Sequence, residues 1–465
     1  MDDLRDVIIV GAGPAGLSAA IAASDHGIDV LVLDEQPTPG GQLYRNIERA
    51  HEDTIKILGS DYGNGRSLVE TFRKSNADYI GGAIVWNIEP NGKLCFSKDG
   101  RSAQIRGKHI IIAIGTTERP VPFPGWTLPG VMGAGAIDAN FKSSGTIPEG
   151  PVVLAGSGPL LLSSIGHMAG LGVEISAVLD TTPKGNILSA LSCLPRALTR
   201  TDYLLKGVGM LLNLKRSGIK HHKTVTEYKA HGNGCLDSVS YTAKNGTQHV
   251  DAGVLLVHEG IVPRCDFTHL LGLKHHWEPI QRYWYPETNH FGATDNDTIY
   301  VAGDGAFVHG GIPATLKGSL AALDIAGKLK ALSSDQKADL IPKLEKKLSS
   351  ELAPRPFVDA LYKPRPGLYN TSDGTLVCRC EEVTAGDIRQ AISEGCREPN
   401  EIKAMTRCGM GHCQGRMCGV ALAEIMAGQL QLESCDFRPL NIRAPVRNLS
   451  LTELSRVSLL EPPVE

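Results

Sequence analysis

A strand, a glycine-rich turn and a helix open the chain, and together they constrain its fold more than any other stretch. Val7-Ile8-Ile9-Val10 is an uninterrupted apolar run, the pattern of a strand buried on both faces. Gly11-Ala12-Gly13-Pro14-Ala15-Gly16 follows, then an alanine-rich helical stretch from Leu17 to about His26, then Val30-Leu31-Val32-Leu33 ending on Asp34-Glu35. This is a βαβ unit carrying Gly-x-Gly-x-x-Gly, with an acid at the end of its second strand. Each glycine has its own task. Gly11 permits the tight turn, Gly13 lets backbone approach a pyrophosphate, and Gly16 lets the helix lie close to the strand. The helix that starts at Pro14 offers the unpaired N–H groups of Ala15 and Gly16 and a positive dipole end to phosphate charge. Asp34 or Glu35 is then placed to accept a ribose hydroxyl.

A second unit of the same kind begins at Val152-Val153-Leu154-Ala155 and continues through Gly156-Ser157-Gly158-Pro159-Leu160-Leu161. A helix to about Leu171 and a strand from Val173 to Leu179, ending on Asp180, complete it. Gly156 and Gly158 still admit a phosphate, but Leu161 replaces the third glycine, and its bulk pushes helix from strand. The loop therefore reads either as an adenine-nucleotide site or as a structural remnant. Two such units agree with the composition, since 52 glycines and only 5% aromatics suit a chain rich in strand-to-helix turns. A length of 465 residues suggests about three domains. With 47 basic and 50 acidic side chains the net charge is -3, so nothing marks a nucleic-acid surface. Met1 to Asp6 is polar, unlike a secretory leader, and no apolar run approaches the roughly 18 residues of a membrane helix. The expected setting is cytoplasmic, with peripheral membrane association only through partners.

Further pieces belong with the first unit. Gly40-Gly41-Gln42 follows its acid, His109 to Thr116 reads as a buried strand ending on Gly115-Thr116, and Ile299 to Gly305 is a strand ending on Gly303-Asp304. Gly310-Gly311-Ile312-Pro313 then opens a helix. Together these resemble the two-dinucleotide-domain flavoproteins, the broad family of glutathione reductase and thioredoxin reductase. The resemblance implies an α/β, glutathione reductase-like fold holding FAD, with Gly41, Gln42, Gly115 and Thr116 in the site. It puts Asp304 on the ribityl chain and Gly311 and Ile312 near the isoalloxazine. It also implies a split FAD domain, residues 1–125 plus 285–345, around a degenerate second dinucleotide domain at 126–284. Where thioredoxin reductases carry Cys-x-x-Cys this chain reads Gly133-Ala134-Gly135-Ala136, and Gly40 to Arg45 contains no cysteine pair. The flavin needs another electron partner.

That partner is suggested by the cysteines. Seven of the eleven, Cys378, Cys380, Cys396, Cys408, Cys413, Cys418 and Cys435, crowd into the C-terminal part of the chain. In a reducing compartment such clustering points to a metal or redox cofactor. They follow a linker, 346–370, punctuated by Pro354, Pro356, Pro364 and Pro366, and run into a tail at 431–465. The Cys-x-Cys of Cys378 and Cys380, with the later Cys-x4-Cys of Cys413 and Cys418 and with Cys408 just before it, suits a four-thiolate cage for zinc or a [2Fe-2S] cluster. A flavoprotein without a disulfide needs a one-electron outlet, which favours iron over redox-silent zinc. Residues 371–430 resemble the [2Fe-2S] domain of bacterioferritin-associated ferredoxin (BFD), found also in anaerobic glycerol-3-phosphate dehydrogenase. The resemblance makes Cys378, Cys380, Cys413 and Cys418 the ligands, with Cys408 in place of Cys418 as the alternative. Cys396 and Cys435, lacking short-loop partners, read as buried thiols.

Along its whole length the order of motifs, with GGQLYR, CRCEEV and TRCGMGHCQGRMC, resembles the α subunits of opine oxidases, D-hydroxyproline dehydrogenase and dye-linked L-proline dehydrogenase. The B subunit of hydrogen cyanide synthase is a relative. The resemblance implies an FAD-containing β subunit that oxidises an amine or imino acid, with a small γ subunit in addition as a candidate, and a quinone or other carrier as acceptor. It also brings FMN at the contact between α and β into consideration, beside an adenine nucleotide in the second domain. The chain itself would relay electrons; a self-sufficient NAD(P)H-dependent reductase is the alternative. No catalytic base is expected here, because the histidines, His258, His275, His276, His290, His309 and His412 among them, show no triad-like spacing. Only His309, beside the Gly310-Gly311 turn, is expected near a flavin.

Overall fold

In the computed structural model, which describes residues 4–459, the first apolar run becomes the middle of a parallel sheet. The strand Leu4–Val10 lies between Val30–Asp34 and the long strand Arg101–Ile112, parallel to both. Val7, Ile8 and Ile9 are fully buried, which is why β-branched residues run there without a polar break. Asp78–Gly81 extends one edge, and Ile299–Val301 adds parallel to Ile110–Ile112 on the other side. A segment from far along the chain thus returns to the starting sheet. The first half of Arg101–Ile112 turns instead to an antiparallel pair, Lys93–Lys98 and Ile84–Ile88.

The helices Pro14–Ser24 and Gly311–Lys328 pack side by side over this sheet. Both offer small faces, Ala15, Ala19 and Ala23 against Gly318, Ala322 and Ala326, so their backbones nearly touch. A Cβ on Gly318 would stand 2.0 Å from the Ala15 carbonyl oxygen, and one on Gly16 would stand 1.9 Å from that of Gly11.

The inserted unit is a five-stranded parallel sheet in the order Lys220–Lys223, Ile175–Asp180, Val152–Gly156, Val254–His258, Val131–Gly133. A three-stranded antiparallel sheet, Glu227–His231, Ser238–Ala243 and Gly246–Asp251, shares a core with one of its faces through Tyr228, Val239 and Tyr241. On the other face Leu161, in the third-glycine position, is a core residue packed with Val152, Leu154 and Met168. The chain enters and leaves this unit through Thr116–Glu118 and Ile261–Pro263, which pair antiparallel.

The prolines expected to punctuate a linker partly build a helix. Arg355–Leu361 is helical, with Pro354 and Pro356 at its start, where a missing N–H costs nothing. Beyond it, helices Ala385–Ser393, Pro399–Thr406 and Gly419–Leu430 close around Val377, Ile388, Ile402 and Met426. The tail then runs back over the molecule. Leu440 and Val446 are buried, the Val446 N–H donates to the Trp86 carbonyl, Arg447 pairs with Asp266 at 2.8 Å, and Val457–Leu459 joins the first sheet beside Ser102–Gln104. Cys435 is exposed and Cys396 half-buried, so neither is the buried thiol expected of it. Among the described residues no helix is long and apolar enough to cross a membrane.

Because Gly318 meets backbone rather than a movable side chain, Gly318→Val forces the two helices apart at a cost of about 1–3 kcal/mol. Thermal unfolding of that variant should start several degrees lower, with earlier loss of flavin; an unchanged melting curve would show slack where none is expected.

Candidate functional site

The glycine loop of the first unit and the carboxyl ends of its parallel strands line a cleft of ≈ 620 Å³. This is where an open α/β sheet binds its ligand. Gly11, Gly13, Pro14 and Ala15 form its floor, Gly41 and Gln42 one wall, and Gly115, Thr116, Asp304 and Gly311 another. The Gly40-Gly41 turn lies directly on the glycine loop: the Gly40 N–H donates to the Ala12 carbonyl at 2.8 Å. With φ of +60°, and with its Cβ position 2.6 Å from Gly13 Cα, Gly41 is the residue that lets two backbones stack there. Gly16 and Gly303 stand behind the wall, holding helix and strand together, and Ile312 is exposed and outside the lining.

The two acids at the end of the second strand divide their work. Asp34 is buried, and its carboxylate accepts the N–H groups of Ala12 and, at 2.6 Å, Gln36, so it holds the glycine loop in shape. Glu35 is exposed and faces Arg264 at 3.8 Å. Across the cleft the Asp304 carboxylate accepts the N–H groups of His309 and Gly310, both at 2.9 Å, and so sets the start of the helix Gly311–Lys328. Four cations on the wall, Arg45, Lys142, Arg264 and Arg447, were not expected from the sequence as binding residues. Arg45 stands in GGQLYR, but the other three come from distant segments with no local signal. Burial lowers the Lys142 ammonium, while Arg45 donates to Gln36 at 3.0 Å and Gln42 at 2.9 Å. A glycine cradle that a Cβ would fill, with cations on its wall, fits the diphosphate of FAD.

The second glycine loop meets different surroundings. Gly156 has φ of +137° and its Cβ position lies 1.8 Å from the His258 carbonyl oxygen, while the Cβ position of Gly158 is 3.6 Å from the His258 ring. His258 is buried and bonds Glu118 at 2.7 Å. Asp180, in the acid position, is engaged by His221 at 3.2 Å and the Thr182 N–H at 2.9 Å. A strap from the chain itself crosses this sheet end. Asn186 donates to the carbonyls of Leu361 at 3.1 Å and Lys363 at 2.8 Å, and Arg365 reaches the Thr226 carbonyl at 2.8 Å and Glu259 at 3.7 Å. Burial and then the Asp180 charge push the Tyr362 hydroxyl up to about 12.

In the C-terminal unit two short loops gather five thiols. The sulfurs of Cys378, Cys408 and Cys418, all buried, lie within 4.8 Å of one another, and the Cys380 thiol hydrogen-bonds that of Cys413. Hydrogen bonds with Cys408 and Cys418 hold Cys378 far below the usual thiol range. Gly411 makes the approach possible, since a Cβ there would be 2.2 Å from that of Cys380. Leu440 of the tail lies over Gly409 and Gly415, both at positive φ. A dry set of thiols suits iron with sulfide. Cys396 lies apart, against Met405 at 3.6 Å.

Residues 5–326 match the pyridine nucleotide-disulphide oxidoreductase family, and residues 376–428 match the BFD-like [2Fe-2S] binding domain. The opine oxidase A subunit of Agrobacterium tumefaciens (strain Ach5) is 38% identical over 98% of this chain and 92% of its own length. Hydrogen cyanide synthase subunit HcnB of Pseudomonas aeruginosa is 31% identical over 88% of this chain and 90% of its own. The crystal structure of L-proline dehydrogenase from P. horikoshii shares the fold at a TM-score of 0.72, with 18% identity, over 97% of this chain and 79% of that one.

Asp304→Ala leaves two backbone N–H groups without their acceptor, a loss of about 1–3 kcal/mol. The FAD dissociation constant should rise by about tenfold or more; an unchanged value in a fluorescence titration would remove Asp304 from the site.

Proposed function

The chain belongs to the pyridine nucleotide-disulphide oxidoreductase family and, within it, to the group containing opine oxidase A subunits and HcnB, and on that premise we propose that it is the electron-transfer subunit of a multi-subunit amine or imino-acid dehydrogenase. It is an FAD-dependent oxidoreductase with a [2Fe-2S] domain. In this reading a separate flavoprotein subunit oxidises the substrate in the cytoplasm, FMN sits where the two subunits meet, and a quinone or similar carrier accepts the electrons. When bound, FAD exchanges electrons singly or in pairs and the cluster exchanges them singly.

One observation carries the reading: the first dinucleotide loop opens on a cleft of ≈ 620 Å³, while in the second unit Asp180, in the acid position, is engaged by His221 and Thr182, and residues 361–365 of the same chain cross the sheet end near it. A flavin has room, and a nicotinamide or adenine nucleotide in the second unit would have to take Asp180 from these partners. Electrons must then come from another subunit. The inserted unit leaves apolar side chains open to such a partner: Leu188 is 74%, Leu205 70% and Val208 52% exposed.

The chain's residues divide the work accordingly. Gly11, Gly13 and Gly41 let backbone approach the diphosphate, Asp304 holds the Gly310-Gly311 turn, and the cations of the cleft wall balance phosphate charge. For the cluster we assign Cys378, Cys380, Cys413 and Cys418 as ligands, which leaves Cys408 as a neighbouring thiol.

Two measurements test this. Anaerobic NADH should leave the flavin band of the isolated chain unbleached; rapid bleaching would favour the self-sufficient reductase. Cys418→Ser should abolish the reduced-state EPR signal and Cys408→Ser should preserve it, whereas the reverse would exchange their roles.

A further inference from the structure

Just after the strand Ile261–Pro263 leaves the inserted unit, a thiol and two imidazoles converge far from the cysteines of the C-terminal unit in sequence. Cys265 directly precedes the short helix Asp266–Leu270, His269 stands in that helix, and His275 opens the strand His275–Glu278. A spacing of four residues puts Cys265 and His269 on one face of the turn. Gly272, at φ of +67°, then reverses the chain, and the Leu273 N–H donates back to the Thr268 carbonyl at 3.0 Å. His275 is thereby brought over the other two. One nitrogen from each ring and the Cys265 sulfur all lie within 4.8 Å of one another, and the rings stack with centres 3.9 Å apart.

The surrounding hydrogen bonds leave these three atoms free to act as ligands. His275 Nδ1–H donates to the Leu273 carbonyl at 2.8 Å, so Nε2 carries the lone pair. A carbonyl on the other ring nitrogen is how metal-binding imidazoles are ordinarily fixed. The Thr268 hydroxyl lies 2.9 Å from that Nε2, but it has the Cys265 carbonyl at 3.1 Å as a second acceptor and can turn to it. Among the described residues no hydrogen bond holds the His269 ring. The Cys265 thiol is buried, 3.5 Å from the Trp284 carbonyl, a contact that a thiol makes only weakly. Arg264 and Arg447, the cations beside this segment, are met by the Asp266 carboxylate at 3.5 and 2.8 Å, which limits their repulsion of an incoming cation.

Sulfur with two imidazole nitrogens is a donor set for zinc or copper, not for the oxygen-seeking magnesium and calcium. Such ions take nitrogen at about 2.0 Å and sulfur at about 2.3 Å, distances that atoms already gathered this closely reach by small side-chain rotations.

We propose that Cys265, His269 and His275 bind one zinc-class transition-metal ion, with the Cys265 proton released to solvent and a fourth position open to water. The shared chemistry admits two sources, Zn²⁺ and Cu(I), and the inference does not depend on the relay reading above. Location gives the ion a task. Arg264 and Phe267 line the flavin cleft, whereas the three ligands do not. An ion that clips the helix Asp266–Leu270 to the strand after it keeps this part of the cleft wall in place.

Metal analysis of the chain with FAD and its iron-sulfur centre in place, followed by titration with Zn²⁺, Cu(I) and the spectroscopic probe Co²⁺, tests the site. One equivalent of zinc or copper per chain is expected, as isolated or after titration, and the ion held identifies the source. X-ray absorption at that metal's edge should show one sulfur and two nitrogens, and Co²⁺ should give a thiolate charge-transfer band. Cys265→Ser should remove the band and weaken binding about 100-fold or more. His269→Asn, which keeps the thiol, should weaken binding as much, and it decides the matter if Cys265→Ser fails to fold. Three outcomes overturn the proposal: no stoichiometric ion in the wild-type chain, a shell of several sulfurs that places the ion among the C-terminal thiols, or affinity unchanged in the variants.

Discussion

Arg119 holds the parts of this molecule in register. It is buried directly after the strand that enters the inserted unit, and its guanidinium donates to the Glu259 carbonyl at 2.9 Å, the Arg282 carbonyl at 2.7 Å and the Gln281 carbonyl. Its charge is met by oriented backbone dipoles, and among the described residues no carboxylate pairs with it. Glu259 follows the last strand of the inserted sheet, and Gln281 and Arg282 lie on the return path to the first one. One side chain therefore sets how two separately folded sheets meet. Removing it would leave three carbonyls without their donor, at about 1–3 kcal/mol for each one left buried.

The same loop carries the tie to the thiol unit. Arg282 forms a two-point ion pair with Glu424, whose carboxylate is almost fully buried in the helix Gly419–Leu430. Breaking such a pair from one side costs more than the pair contributes, so its value lies in orientation. Trp126 adds a bond from its indole N–H to the Leu376 carbonyl at 2.7 Å, just before Cys378. The tail closes the arrangement. Gln414 and Arg416, from the cysteine loop, donate to the carbonyls of Arg443 and Val446, and the next residue, Arg447, reaches the wall of the flavin cleft. The thiol loop and the cleft are thus joined by a few consecutive residues.

Much of this was legible locally. The strand and helix of the first unit, the buried strand ending on Gly115-Thr116, the Gly303-Asp304 turn and the grouping of cysteines all depend on neighbours in sequence, and the cleft collects most of the residues expected in it. What escaped depends on distant neighbours. Lys142, Arg264 and Arg447 meet only because an inserted unit and a tail fold back onto one cleft. The proline-rich segment was expected to be a linker, since prolines at a helix start and prolines in an extended spacer look alike until a packing partner is known.

By itself the sequence determined which backbones can approach a phosphate and which residues can ligate iron, because glycine spacing and cysteine chemistry act over a few residues. The tertiary structure alone decided that residues 361–365 tie back onto the inserted unit through Asn186, that Cys408 stands beside Cys378 and Cys418, and that Arg447 of the tail reaches the wall of the first cleft. Each of these depends on burial and on the direction of side chains that meet only after folding. Local pattern specifies what a residue can do, and packing specifies what it is left facing.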